Sequence, residues 1–171
     1  IGKPIIDNYW QTETGWPIMA ICNGVEAAPT KYGSPGKAVY GFDVRLIDET
    51  TAEEITEPGK KGVIAVEGPL PPGCLQTIWR DDDRYVKTYW QSIHKRVMYS
   101  TFDWGVKDAD GYFYILGRTD DVINVAGHRL GTREIEESIS SHPAIAEVAV
   151  VGVADQLKGQ VDTMKVSMDA M

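Results

Sequence analysis

The sequence predicts a mixed α/β chain that is rich in β-strands over its first part and then opens a second unit as strand, helix, strand. Three observations carry that expectation. Short apolar runs, Val44–Ile47 and Val63–Glu67, are separated by Pro58-Gly59 and Lys60-Lys61-Gly62, which is strand-and-turn punctuation. Val97–Phe102 and Tyr112–Leu116 flank Asp108-Ala109-Asp110-Gly111, a hairpin signal. Beyond a polar break at Asp120, Val122–Val125 reads as a short strand, Thr132 as a helix N-cap, and Ile135 and Ile139 as an apolar stripe at i,i+4 spacing.

Composition bounds what such a chain can do. It has 171 residues, 43% hydrophobic and 25% charged, enough for one ordinary domain or for a piece of a larger one. It begins at Ile1 without an initiator Met, and neither a signal-peptide pattern nor an apolar run of about 20 residues is present. A formal net charge of -8 argues against a polyanion-binding surface, so neither nucleic acid nor membrane is an expected partner. Any phosphate must be met by a few placed groups. Cys22 and Cys74 lie far apart with no second Cys near either, which leaves reduced thiols and a cytoplasmic location as the default.

Lys3-Pro4-Ile5-Ile6 reads as the end of a strand whose tip carries Asp7-Asn8-Tyr9-Trp10-Gln11-Thr12-Glu13-Thr14-Gly15. This loop sets polar recognition groups between aromatics. It suits an adenine against the face of Tyr9, hydrogen bonds from Gln11 and Thr12, and the Glu13 carboxylate on a magnesium ion. A Thr-rich turn ending at Gly15 is the plain alternative. Gly33-Ser34-Pro35-Gly36 marks a turn, and the prolines of Gly68–Gly73 make a stiff loop. Asp81-Asp82-Asp83 suits a solvated loop or helix start better than a metal site, and the aromatic stretch Tyr85–Trp90 should pack on the β region.

Further on, Val97–Phe102 should deliver Asp103 to a strand end, where its carboxylate is either a turn acceptor or an acceptor for a ribose cis-diol. Ala126-Gly127-His128-Arg129 reads as a tight turn. Arg129 on this glycine turn suits a phosphate, whereas a lone His128 is more often structural. Glu134, Glu136 and Glu137 favour a helix start, Pro143 stops the helix, and Glu147–Val153 reads as a buried strand. After Lys158-Gly159-Gln160 a Met-rich tail is expected.

The nonapeptide 7–15 resembles the adenine-binding motif of the acyl-adenylate-forming (AMP-binding) enzymes in the form used by short-chain acyl-CoA synthetases. YSTFDWG (99–105), DGYFYILGRTDDVINVAGHRLGTREIEESISSHP (110–143) and VAVVGV (148–153) resemble the second half of the same pattern, in the same order. The resemblance implies residues 1–119 as the C-terminal portion of the large domain, a strand end with a β-barrel-like subdomain. It implies residues 120–171 as the hinge and an incomplete small α+β domain.

The resemblance also implies roles. Asp7, Asn8, Tyr9, Trp10, Gln11 and Thr12 would meet nucleotide and acyl group, Asp103 and Arg118 the ribose, Arg129 the phosphate, and Glu13 the magnesium ion. Ala126 and Gly127 would leave room for the CoA arm, Asp120 would be the hinge, and Ser140, His142 and Ile145 would supply a structural cation site. Trp10 at the floor of the acyl pocket would admit only a short carboxylate. The Trp16-Pro17 continuation and the GPLPPGC loop look more like propionyl-CoA than acetyl-CoA synthetases. The implied substrates are a short-chain carboxylate, ATP and CoA, with acyl-CoA, AMP and pyrophosphate as products. Two parts of the family pattern are missing, the upstream Ser/Thr/Gly-rich phosphate loop and the late Gly-Lys motif, so the 171 residues by themselves are expected not to turn over. A non-catalytic adenosine-binding role, or one confined to acetate, is the alternative.

Overall fold

The computed structural model describes residues 5–125, 128–155 and 159–168, and the side chains of these except Asn124, His128, Arg129 and 159–168. It divides into two compact units, Ile1–Leu116 and Gly117–Met171.

The first unit is built on two antiparallel sheets. One has the order β1-β2-β3, from β1 (Asn8–Trp10), β2 (Pro17–Ala20) and β3 (Lys37–Ala38). The other has the order β4-β5-β6-β7, from β4 (Asp43–Ile47), β5 (Gly62–Glu67), β6 (Tyr99–Lys107) and β7 (Phe113–Arg118). This second sheet is open and does not close into a barrel. β5 is apolar on both faces because both are covered: Ile64, Ala65 and Val66 are fully buried. Ile18, Met19, Leu46, Ile64, Val66 and Tyr99 share one core, so the two sheets are held by the same apolar contacts.

Local chemistry explains the connections. Gly36 turns at φ +98, and a Cβ there would meet Ile21 Cγ1 at 2.8 Å, so only glycine fits. The β6–β7 hairpin closes on Asp108, whose Oδ1 accepts from the backbone N–H of Asp110 and Tyr112, both at 2.9 Å. Asp81 caps the short helix α1 (Asp82–Tyr85), its side chain accepting from the Arg84 N–H at 3.1 Å. The acidic run is therefore a helix start. α1 continues as a π-helical segment, Val86–Trp90, whose Tyr89 and Trp90 pack on the core as the aromatic stretch predicts.

Several expected elements are displaced. Ile5 and Ile6 are not in a strand and are 88% and 39% exposed; the strand starts at Asn8, inside the motif, because the loop folds back and pairs Tyr9 with Met19. Lys3 and Pro4 lie outside the described residues. Asp103 stands within β6, not at its end.

In the second unit the sheet order is β10-β11-β8-β9, from β8 (Val122–Val125), β9 (His128–Gly131), β10 (Ile145–Asp155) and β11 (Gly159–Met168), with helix α2 (Thr132–Ser140) between β9 and β10. The backbone of His128 and Arg129 is therefore strand, where a tight turn was expected, and Ala126 and Gly127 lie outside the described residues. Gly131, not Thr132, is the N-cap of α2, with no side-chain cap. β10 is largely exposed, with Val150 buried and Val151 and Val153 at 46% and 44%. The expected tail is strand β11, paired with β10 from Gly159↔Asp155 to Met168↔Ile145. The reason is legible afterwards: Thr163, Met164, Lys165, Val166, Ser167 and Met168 alternate polar and apolar. Among the described residues, no helix is long and apolar enough to cross a membrane.

Candidate functional site

The site is made by the hairpin β1–β2 meeting an irregularity in β6. Val63 pairs with Trp104 and Ala65 with Ser100, so Ile64 alone on β5 faces Thr101, Phe102 and Asp103 on β6. This is a bulge, and a bulge re-aims the side chains it carries. Phe102 holds it with φ 59, a left-handed conformation that costs a non-glycine residue on the order of 1–3 kcal/mol. Thr101 seals it: its hydroxyl donates to Ile64 O at 2.8 Å and accepts from the Asp103 N–H at 3.2 Å.

The bulge turns Asp103, which is 7% exposed, onto the motif loop. The Tyr9 hydroxyl donates to Asp103 Oδ2, and Gln11 Nε2 donates to the same oxygen at 3.0 Å and to Thr101 O at 2.7 Å. The Tyr99 hydroxyl donates to Gln11 Oε1 at 2.9 Å, so both ends of that amide are assigned by their partners. Burial in the first place, then the negative charge and hydrogen bond of Asp103, pushes the Tyr9 hydroxyl far above the ordinary tyrosine range. Burial does the same to Tyr99. Both are therefore neutral donors at any ordinary pH.

The loop itself is closed by Thr14, fully sheltered, whose hydroxyl donates to Gln11 O or Trp16 O at 2.9 Å and accepts from the Gln11 N–H at 3.2 Å. Glu13 is half-buried, and its Oε1 accepts from the Tyr89 hydroxyl at 3.0 Å. Among the described residues no buried side-chain N or O atom lacks a partner, so the constellation is pre-organised.

The expected residues thus fall into groups. Tyr9, Gln11 and Asp103 converge. Asn8 and Trp10 stand exposed on β1, Trp10 at 56%, with Asp7 before them accepting from the Asn8 N–H at 2.9 Å and Thr12 exposed in the turn. In the second unit Arg118 forks onto Asp120, Nε to Oδ1 and Nη2 to Oδ2 at 2.8 Å each, and this guanidinium holds the Asp120 carboxyl below the usual range. Ser140, His142 and Ile145 lie around one turn, where His142 O accepts from the Ile145 N–H at 3.0 Å and Ser140 Oγ donates to Glu137 O at 3.1 Å. Arg129 pairs with Asn124 in backbone register; its side chain, with Ala126 and Gly127, lies outside the described residues. Among the described residues no cluster of three His, Cys, Asp or Glu side chains could cage a metal. A cavity of about 150 Å³ lined by Cys22, Lys37, Tyr40 and Tyr112 shares no residue with this network.

The sequence points to packing alone for Tyr89 and to a strand for Tyr99, Thr101 and Phe102, yet all four join this network. Tyr99 and Thr101 sit in the motif beside Asp103, which is a usable signal; the pairing of Tyr89 with Glu13 has none.

Known proteins resemble this chain over nearly all of its length. Over 158 residues, 92% of its length, the chain is 69% identical to propionate--CoA ligase of Escherichia coli strain K12, and it covers 25% of that protein. It is 63% identical over 161 residues to propionate--CoA ligase of Salmonella typhimurium strain LT2, again covering 25%. The AMP-binding enzyme C-terminal domain matches residues 134–167. Over nearly all of its length the chain is thus similar to acyl-adenylate-forming, AMP-binding enzymes. Acetyl-coenzyme A synthetase of Pyrobaculum aerophilum is 46% identical over 153 residues, 90% of this chain and 22% of that protein. An ATP-bound RpMatB-BxBclM chimera, B3, superimposes with a TM-score of 0.78 at 28% identity, over 99% of this chain and 31% of the other. The chain thus spans about a quarter of the length of the curated relatives it matches.

Proposed function

We propose that this chain supplies the adenosine-binding loop and hinge of an ATP-dependent short-chain acyl-CoA synthetase, with propionate favoured over acetate. The observation that carries it is the convergence of Tyr9 and Gln11 on one oxygen of the sheltered Asp103 carboxylate. Fixing that oxygen fixes the plane of the carboxylate, and a carboxylate of set orientation is the acceptor a ribose cis-diol requires. The Tyr9 ring is half-buried on β1 and would carry an adenine face. Relatives named for propionate at 69% and 63% identity favour propionate, although one methylene is discriminated by only about 1–3 kcal/mol.

In the reaction a carboxylate oxygen attacks the α-phosphate of ATP, pyrophosphate leaves, and the CoA thiol then displaces AMP from the acyl-AMP. The residues here bind and orient. Asp103 would hold the ribose with Arg118, Arg129 would meet the phosphate, and Trp10 would limit acyl length. Ala126 and Gly127 would leave the CoA arm its path, and Asp120 would be the hinge residue. Ser140, His142 and Ile145 would furnish a structural cation site through oxygens at the end of α2. Glu13, half-buried with Oε1 accepting from the Tyr89 hydroxyl, would hold a magnesium ion, because Mg²⁺ is commonly bound by one or two carboxylates together with substrate phosphates rather than by an all-protein cage. When bound it neutralises phosphate charge.

Calorimetric titration with AMP and with non-hydrolysable propionyl-AMP and acetyl-AMP analogues tests the reading. Saturable binding that is lost in Asp103→Ala, with the propionyl analogue tighter than the acetyl one, supports it. A folded chain that gives no heat with any of the three refutes it.

A further inference from the structure

We propose that Tyr89 and Tyr99 form a stacked pair of positioning residues behind the nucleotide loop, Tyr99 setting the direction of the Gln11 amide and Tyr89 setting the Glu13 carboxylate. The inference rests on the adenosine and metal roles proposed above. The rings lie 5.6 Å apart and within 2° of parallel, so the two hydroxyls are carried by one rigid unit. One hydroxyl reaches Gln11 Oε1 at 2.9 Å and the other Glu13 Oε1 at 3.0 Å. Gln11 and Glu13 are two residues apart in the same turn, yet their orienting partners come from β6 and from the π-helical segment.

Each contact has a chemical consequence. If the Gln11 amide were reversed, Oε1 would face the Asp103 carboxylate at 3.0 Å and Thr101 O at 2.7 Å, acceptor against acceptor. The Tyr99 hydroxyl, neutral because it is buried, favours the productive orientation by donating to the other end. A Glu side chain on a loop has three free torsions. The Tyr89 bond takes one acceptor position of the carboxylate and leaves others for a cation. The Leu75 N–H fixes the Glu13 carbonyl at 2.6 Å, so backbone and side chain are both anchored.

Phe102 joins this arrangement. Its ring stands edge-on to Tyr89 at 6.0 Å and 71°, and its backbone sits at φ 59, where glycine would be free of strain. The strained residue of the bulge therefore both aims Asp103 and supports Tyr89. Ribose acceptor and metal ligand are tied to one aromatic cluster.

The test uses Tyr99→Phe and Tyr89→Phe, which keep the rings. Tyr99→Phe should weaken AMP binding in EDTA about fivefold, the value of one net hydrogen bond. Tyr89→Phe should leave AMP binding in EDTA within about twofold of wild type and raise the Mg²⁺ concentration for half-maximal ATP binding about fivefold. Glu13→Gln should abolish the Mg²⁺ effect and make Tyr89→Phe silent in the double variant. A merely structural role would weaken AMP and ATP binding together in both variants, and that result overturns the proposal. So does an unchanged Mg²⁺ midpoint in Tyr89→Phe while wild type responds to Mg²⁺. If wild type binds ATP with no Mg²⁺ effect, the metal role of Glu13 fails and the Tyr89 assignment falls with it; if wild type binds no AMP, the adenosine reading itself fails and takes both assignments.

Discussion

Replacing Tyr9 with Phe removes one oxygen and leaves the ring. That oxygen donates to Asp103 Oδ2, an atom of a carboxylate only 7% exposed. Hydrogen bonds to charged groups contribute about 1.5–3 kcal/mol, and Gln11 Nε2 remains on the same oxygen at 3.0 Å, so the carboxylate is weakened without being abandoned. We expect the unfolding free energy near neutral pH to fall by about 1.5–3 kcal/mol. The alkaline arm gives a second signature. The folded hydroxyl titrates above the unfolded value of about 10, so its contribution is intact below pH ~10 and is lost as the pH rises beyond that, where the unfolded chain releases a proton and the folded chain keeps it. Each such tyrosine contributes a slope of about 1.4 kcal/mol per pH unit. Tyr9 and Tyr99 both behave this way, so Tyr9→Phe should shed about half of their joint slope and Tyr99→Phe the other half. Urea unfolding followed by tryptophan fluorescence, at neutral pH and at several values above pH ~10, measures both quantities. A variant as stable as wild type to within about 0.5 kcal/mol, with the same alkaline slope, would refute the buried Tyr9–Asp103 bond.

Two further substitutions probe other parts of the account. Gly36→Ala, at φ +98, should cost the left-handed backbone term of about 1–2 kcal/mol and about 1–3 kcal/mol more for the clash, because a Cβ would lie 2.8 Å from Ile21 Cγ1 and 3.1 Å from the Ala20 carbonyl carbon. Gly33→Ala, with φ +73 but nothing within 4 Å, should cost only the left-handed backbone term of about 1–2 kcal/mol; equal losses in urea titration would contradict the steric argument. Trp10→Ala should admit acyl-AMP analogues longer than propionyl with affinity at least equal to that for propionyl, while AMP affinity stays the same. A variant that still rejects the longer analogues would remove Trp10 from the acyl pocket.

The sequence made part of this legible, and the limits have physical causes. Val63–Val66 declares itself because a strand buried on both faces must be continuously apolar, and Val44–Ile47 because its apolar residues flank a single outward Arg45 that pairs with Asp43 and Glu54. The Asp108–Gly111 turn shows because a short carboxylate and a glycine are what its backbone needs, and Gly111 sits at φ +82. The role of the 7–15 loop came from resemblance, but its shape did not. Residues 7–15 read as a loop on the tip of a strand ending at Ile6, and it is the pairing of Tyr9 with Met19 that shows a hairpin. The bulge at Thr101–Asp103 was hidden because nothing local distinguishes Phe102 in a left-handed conformation from Phe102 in a regular strand. Strand β11 carries its polar–apolar alternation only over Thr163–Met168, with two polar residues together at Asp162-Thr163, a weaker signal than a continuous apolar run. The Tyr89–Glu13 bond spans 76 positions and arises from tertiary packing alone.

The central claim is that Asp103, held by Tyr9 and Gln11, is a ribose acceptor. It is tested most directly by comparing the affinities of AMP and 2′,3′-dideoxy-AMP for the wild-type chain and for Asp103→Asn, with circular dichroism confirming that both are folded. The account predicts that the wild type prefers AMP by about tenfold or more, as expected for hydroxyls donating to a carboxylate, and that Asp103→Asn loses most of that preference. Equal binding of the two nucleotides by the wild type, or a preference that survives unchanged in Asp103→Asn, would contradict it.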